Sequence, residues 1–165
     1  MAATIVIVKT YGAGPAGTEA IDTEFGLKSV DDHATAPEDA AVSIPDAGTN
    51  YSYECWMRFK CTAVPSNQCD NFKIWSSGAA VADGLVITVN SDAVNTYATP
   101  VNTISTKGTR VDFADKDSGD KISIVGTLED EDDETDFSVF QLAVDSSAAP
   151  GDMPDQTVYY SYDES

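Results

Sequence analysis

Residues 51–63 alternate between apolar and polar side chains. Tyr51, Tyr53, Cys55, Met57, Phe59, Cys61 and Ala63 fall on one face of an extended chain; Ser52, Glu54, Arg58, Lys60 and Thr62 fall on the other, where Trp56 alone breaks the pattern. A period of two with one dry face and one wet face predicts an antiparallel strand packed on a single side. Residues 3–9 predict an N-terminal strand, and 71–76 alternate again with Phe72 and Ile74 inward. The β-branched run at 84–90 predicts a central strand, and shorter strands are expected at 21–28, 110–113, 122–128, 137–144 and 157–162. Between them lie turn and loop signals: Gly and Pro at 11–17, an acidic stretch at 29–39, turns at 46–50 and 64–68, and an Asn-, Thr- and Ser-rich connection at 91–109. Residues 42–45 read as a short extended piece before Pro45. No segment carries convincing helical periodicity. The expected fold is therefore all-β, a single-domain antiparallel β-sandwich of about eight or nine strands. Strand count does not separate a jelly roll from an immunoglobulin-like sandwich. Residues 1–17 read as a strand with a Gly-rich hinge, serving either as a projecting arm or as an edge strand of the chain's own sandwich; 18–165 read as the sandwich domain.

Size changes this picture little. A chain of 165 residues buries roughly 70% of its unfolded surface and needs neither disulfide nor metal to hold a core. Cys55, Cys61 and Cys69 leave at least one thiol unpaired. Cys55 and Cys61 share a strand face about 20 Å apart when extended, too far to bond, so buried free thiols are expected. Charge changes the picture more. Against 9 basic residues stand 28 acidic ones, a net charge of −19. A phosphate backbone or an anionic membrane would be repelled. Basic protein surfaces, cations or a salty medium remain. No charged n-region precedes an apolar stretch, and no run approaches the roughly 20 apolar residues of a membrane span. The protein is expected to be made in a cytoplasm and to stay soluble, without nucleic acid or membrane as partner.

Candidate chemistry is sparse. His33, the one histidine, sits in an acidic loop with little to build a general acid–base pair, and no cofactor motif is present. Asp115, Asp117 and Asp120 surround Gly119 and form a candidate calcium loop, since hard cations take several oxygens from a tight turn. The loop departs from the EF-hand pattern: its glycine comes one place early, and Gly126 stands where a bidentate glutamate belongs. A hairpin turn explains the same residues. Glu129, Asp130, Glu131, Asp132, Asp133 and Glu134 form an unbroken acidic run, read as a solvated loop, a docking tip for a basic partner or a cation trap. Trp56 and Trp75 face the polar side of their strands. They are either covered by loops, or part of an interface, or stacking platforms for sugar.

Several landmarks stand in order: the lead-in at 44–54, the 56–62 strand, Asn71 to Trp75 followed by Gly78, then Phe140 to Val144, residues 148–151, and Tyr160 to Glu164. This arrangement resembles small virion structural proteins of tailed bacteriophages and related archaeal viruses. The resemblance spans roughly 42–90 and 137–165 and is a texture of strands rather than a catalytic motif. It implies a non-enzymatic β-sandwich subunit assembled on a capsid, neck or tail. Capsid decoration (cement) proteins fit a single acidic domain best. Such proteins are often trimers that bind the major capsid protein on the outer lattice of the virion. A tail or neck component is the near alternative. A carbohydrate-binding β-sandwich is the rival from a different class.

Overall fold

Ten strands form two antiparallel sheets in the computed structural model, which describes residues 3–22, 24, 26–151 and 155–165. They are β1 (Thr4–Tyr11), β2 (Thr18–Ile21), β3 (Thr49–Tyr51), β4 (Cys55–Ala63), β5 (Cys69–Ser76), β6 (Leu85–Asn90), β7 (Arg110–Asp112), β8 (Ile122–Ser123), β9 (Ser138–Asp145) and β10 (Val158–Glu164). The larger sheet has seven strands in the order β2-β1-β4-β9-β6-β7, with β3 also on β9; the smaller runs β10-β5-β8. A single 3-10 turn, Pro37–Ala40, interrupts the acidic 29–39 loop.

The two sheets face each other across one core. Met57, Phe59 and Cys61 from β4 meet Phe72 and Ile74 from β5, and Ile87, Val89, Phe140, Leu142 and Val144 complete the large sheet's inner face. Phe59 stacks on Phe72 with ring centroids 5.3 Å apart. The alternation at Cys55, Met57, Phe59 and Cys61 therefore sets the facing as expected, and all four are buried. All three thiols are free.

The long strand expected over 51–63 is two strands. Tyr51 pairs with Ala143 and Cys55 with Phe140, so three residues on one chain oppose two on the other. The extra residue is a bulge. Ser52 fills it: its hydroxyl accepts the Leu142 N–H at 3.0 Å, and its own N–H bonds the Leu142 carbonyl. This split brings the strand count to ten.

Three further differences follow from pairing. The strand after the first turn is Thr18–Ile21 rather than 21–28, because β1 and β2 form a hairpin; Thr23 and Phe25, within that expected strand, lie outside the described residues. Residues 4–11 are no projecting arm. β1 is hydrogen-bonded to β2 on one side and to β4 over Thr4 to Thr10 on the other. The division at residues 17 and 18 thus falls inside a hairpin. Gly17 belongs to its packing: at φ +62° an added Cβ would lie 2.7 Å from Thr10 and Tyr97. Finally, β7 and β8 are not a hairpin. β7 pairs with β6 in the large sheet and β8 with β5 in the small one, so residues 113–121 cross between sheets.

Candidate interaction sites

Trp56 is no interface residue. It is fully buried, and the 91–109 connection covers it. Tyr97 and Phe137 meet its indole edge-on at 5.1 and 5.2 Å, with Val139, Val94 and Ala98 around them. The connection is fastened rather than merely laid over the surface. Gln141 Nε2 donates to the carbonyls of Ser52 and Thr103, and Gln141 Oε1 accepts the Ser105 N–H at 2.8 Å. Tyr97 donates its hydroxyl to the Gly12 carbonyl at 2.6 Å, and burial pushes its pKa up. The indole N–H of Trp56 donates to Glu54, a buried carboxylate. The outer face of the large sheet therefore carries a small dry core of its own, and the break at Trp56 in the alternation is its trace in the sequence.

The acidic run is partly spent on the chain itself. Lys60 Nζ lies 3.1 Å from Asp132 and 3.4 Å from Glu134. Arg58 bridges Glu134 and Glu19 and lies over the Phe137 ring. The Lys60 pKa is raised, first through its bond to Asp132. Asp133 turns inward to accept the N–H groups of Glu129 and Asp130, both at 2.8 Å, which lowers its pKa. The run continues the pairing of β4: Asp132 N–H bonds Cys61, and Thr135 N–H bonds Phe59. Glu129, Asp130 and Glu131 are exposed, and among the described residues they form no ion pair with a basic group.

Asp115, Asp117 and Asp120 are exposed but do not converge. Asp120 holds Lys116 at 2.7 Å, while Asp117 accepts the Gly119 N–H at 2.7 Å. Among the described residues, no group of three or more His, Cys, Asp or Glu side chains is placed to hold a metal ion. The sheet-to-sheet crossover accounts for this loop instead.

Residues with nucleophilic or basic character serve the scaffold. Burial pushes the Cys55 thiol up to about 11 and raises Cys61 and Cys69 as well, so all three stay protonated at neutral pH. His33 is exposed, lies 3.2 Å from Asp22 and stacks on Tyr11. Lys28 is buried and donates to Asp32 at 2.7 Å, pinning the 29–42 loop. That bond, with two more from Thr35, holds the Asp32 carboxyl well below the usual range. Arg110 donates to the Val139 and Thr88 carbonyls, and burial pulls its pKa down to about 10.

Trp75 behaves differently from Trp56. It is half-buried on the outer face of the small sheet, where Lys121 Nζ lies over its ring, 4.0 Å from the centroid. Tyr159 on β10, its cross-strand partner, stacks beside it at 5.8 Å and is 46% exposed. Tyr160 is also exposed, at the mouth between the sheets, where its ring contacts Phe59. β10 pairs only with β5, so its other edge is unpaired among the described strands.

These features define a two-sheet antiparallel β-sandwich with one exposed aromatic edge and a strongly acidic surface. No protein-family model matches the chain, and no curated protein and no solved structure matches it.

Proposed function

We propose that this chain is a non-enzymatic structural protein of a virion, a capsid decoration protein that binds the major capsid protein on the outer lattice as a homo-oligomer, with a trimer favoured. The observation that carries this reading is where the landmarks of the resemblance lie. The lead-in contains β3 and the 56–62 landmark lies on β4, and both strands pair with β9, the strand holding Phe140 to Val144. Asn71 to Trp75 fall on β5, which pairs with β10, the strand holding Tyr160 to Glu164. The landmarks thus belong to two paired strand sets packed through Phe59 and Phe72, a rigid body suited to clamping neighbours. The unpaired edge of β10 offers main-chain groups for strand addition, with Tyr159 and Tyr160 beside it as anchors. A net charge of −19 favours a basic docking surface. Synthesis in the host cytoplasm and residence in the virion follow from this role.

The test is mild dissociation of purified particles of the virus that encodes the chain. A decoration protein leaves intact shells early, as a 17.5 kDa band. A band that stays with detached tails assigns the chain to tail or neck instead. Absence from particles overturns the virion reading.

A further inference from the structure

We infer that copies of this chain associate through a charge-free groove between β3 and the 91–109 connection, which receives Ile104 of the neighbouring copy. The inference deepens the homo-oligomer part of the proposed function and rests on that part alone. Charged residues make up 22% of the chain, yet residues 93–106 contain none and residues 40–53 contain only Asp46. The fold brings these two distant stretches together. They wall an open cleft of about 410 Å³, where Val42, Ser43, Asn50 and Tyr51 face Thr103 and Ile104, and no charged side chain lines it. Ile104 is 65% exposed, and Ile44 and Val101, next to lining residues in the chain, are exposed as well.

Both walls are held in place. Gln141, buried in β9, bonds the Thr103 carbonyl and the Ser105 N–H, each at 2.8 Å. It grips the chain on either side of Ile104 and leaves that side chain in solvent. The Glu54 N–H bonds the Val101 carbonyl at 3.0 Å. Opposite, Asn50 Nδ2 donates to the Ser43 carbonyl at 2.8 Å and ties that segment to β3. Backbone already fixed in this way loses little freedom on contact, so burying the isoleucine is favourable. Charge selects the occupant. At net −19, two copies repel each other wherever acidic faces meet. On the groove they touch without bringing carboxylates together. A basic partner gains nothing electrostatic here and is drawn to the acidic faces instead. The ridge at Ile104 and the cleft beside it are different surfaces, so the ridge of one copy enters the cleft of the next. Head-to-tail contacts of this kind close into rings, the geometry a trimer needs.

The experiment is analytical ultracentrifugation of the full purified chain, without particles, over roughly 1–500 µM and at about 0.1 M and about 0.5 M NaCl. A reversible, concentration-dependent rise in mass above 17.5 kDa is expected. It should strengthen at the higher salt, because screening removes residual repulsion while the contact itself holds no ion pair. Ile104→Asp should weaken association at least about ten-fold. Asn102→Asp, at an exposed position on the same cleft, should also weaken it and guards against an Ile104 variant that fails to fold. Val125→Asp places the same charge at another exposed apolar position and should leave association unchanged. A chain that stays monomeric throughout overturns the inference, leaving the groove bare or to a different protein. So does association that weakens with salt, that survives both groove substitutions, or that Val125→Asp weakens equally. None of these results bears on residence in a virion, which particle dissociation decides.

Discussion

Single residues hold this fold through two kinds of contact, apolar burial between the sheets and polar fastening of the loops. Phe59 exemplifies the first, fully buried between Phe72 and Tyr160. Phe59→Ala should cost about 3–5 kcal/mol in chemical denaturation; a loss below about 1 kcal/mol would contradict the facing of β4. Asp32 exemplifies the second. Its pKa is lowered in the folded state by Lys28 and Thr35, so its contribution is present above its ordinary value of 3.8 and is lost as pH falls through the depressed folded value. The stability gap between the native chain and Asp32→Asn should therefore be full at pH 7 and shrink as the solution is taken below that ordinary value. A gap that stays constant across the range would mean that the Lys28 contact is not formed. The two tryptophans show how far one residue's sequence context reaches. Trp56 and Trp75 break the same polar alternation. The distant 91–109 connection, fastened by Gln141, seals Trp56, whereas Trp75 stays half-buried between Tyr159 and Lys121. Gln141 and Asn90, isolated polar residues inside apolar strands, were the signals available for that fastening: Asn90 accepts the Val139 N–H and donates to the Phe137 carbonyl.

At the scale of elements, alternation and turn residues made most strands legible. The facing of β4 and β5 and the closing strand β10 follow directly from a period of two. Partners did not, because hydrogen bonding between strands distant in sequence leaves no local pattern. The bulge at Ser52, the crossover at 113–121 and the internal position of β1 all depend on such partners. The same reason accounts for the candidate sites. Spacing alone placed Asp115, Asp117 and Asp120 together, whereas Lys116 and the Gly119 N–H engage two of them separately. Removing residues 1–17 strips β1 from between β2 and β4, leaving the edge of β4 and the core face beneath Ile5 and Ile7 bare. The truncated chain should lose cooperative thermal unfolding; a soluble, cooperatively folded product would show β1 to be dispensable. In the acidic run, Glu134→Lys breaks the Arg58–Lys60 cluster and should lower stability. Glu131→Lys, at an exposed position with no basic partner among the described residues, should leave melting unchanged and weaken attachment to particles if that loop docks. Full attachment by the Glu131 variant would remove its tip from the contact.

The whole molecule is a scaffold covered on one side of its large sheet by a second sheet and on the other, over Trp56, by a bonded loop. Thiols, imidazole and most basic groups are committed to that scaffold. The surface left for partners is acidic, with an aromatic edge along β10. The account stands or falls on adhesion to a larger assembly. For the proposed virion role, the most direct measurement is an image reconstruction of purified particles of the virus proposed to encode the chain, at a resolution that separates strands. The account predicts a sandwich of a seven-stranded and a three-stranded sheet on the outer lattice, with the edge of β10 or the acidic loop at 129–134 against the shell. Particles whose density is fully explained without such a sandwich would contradict it.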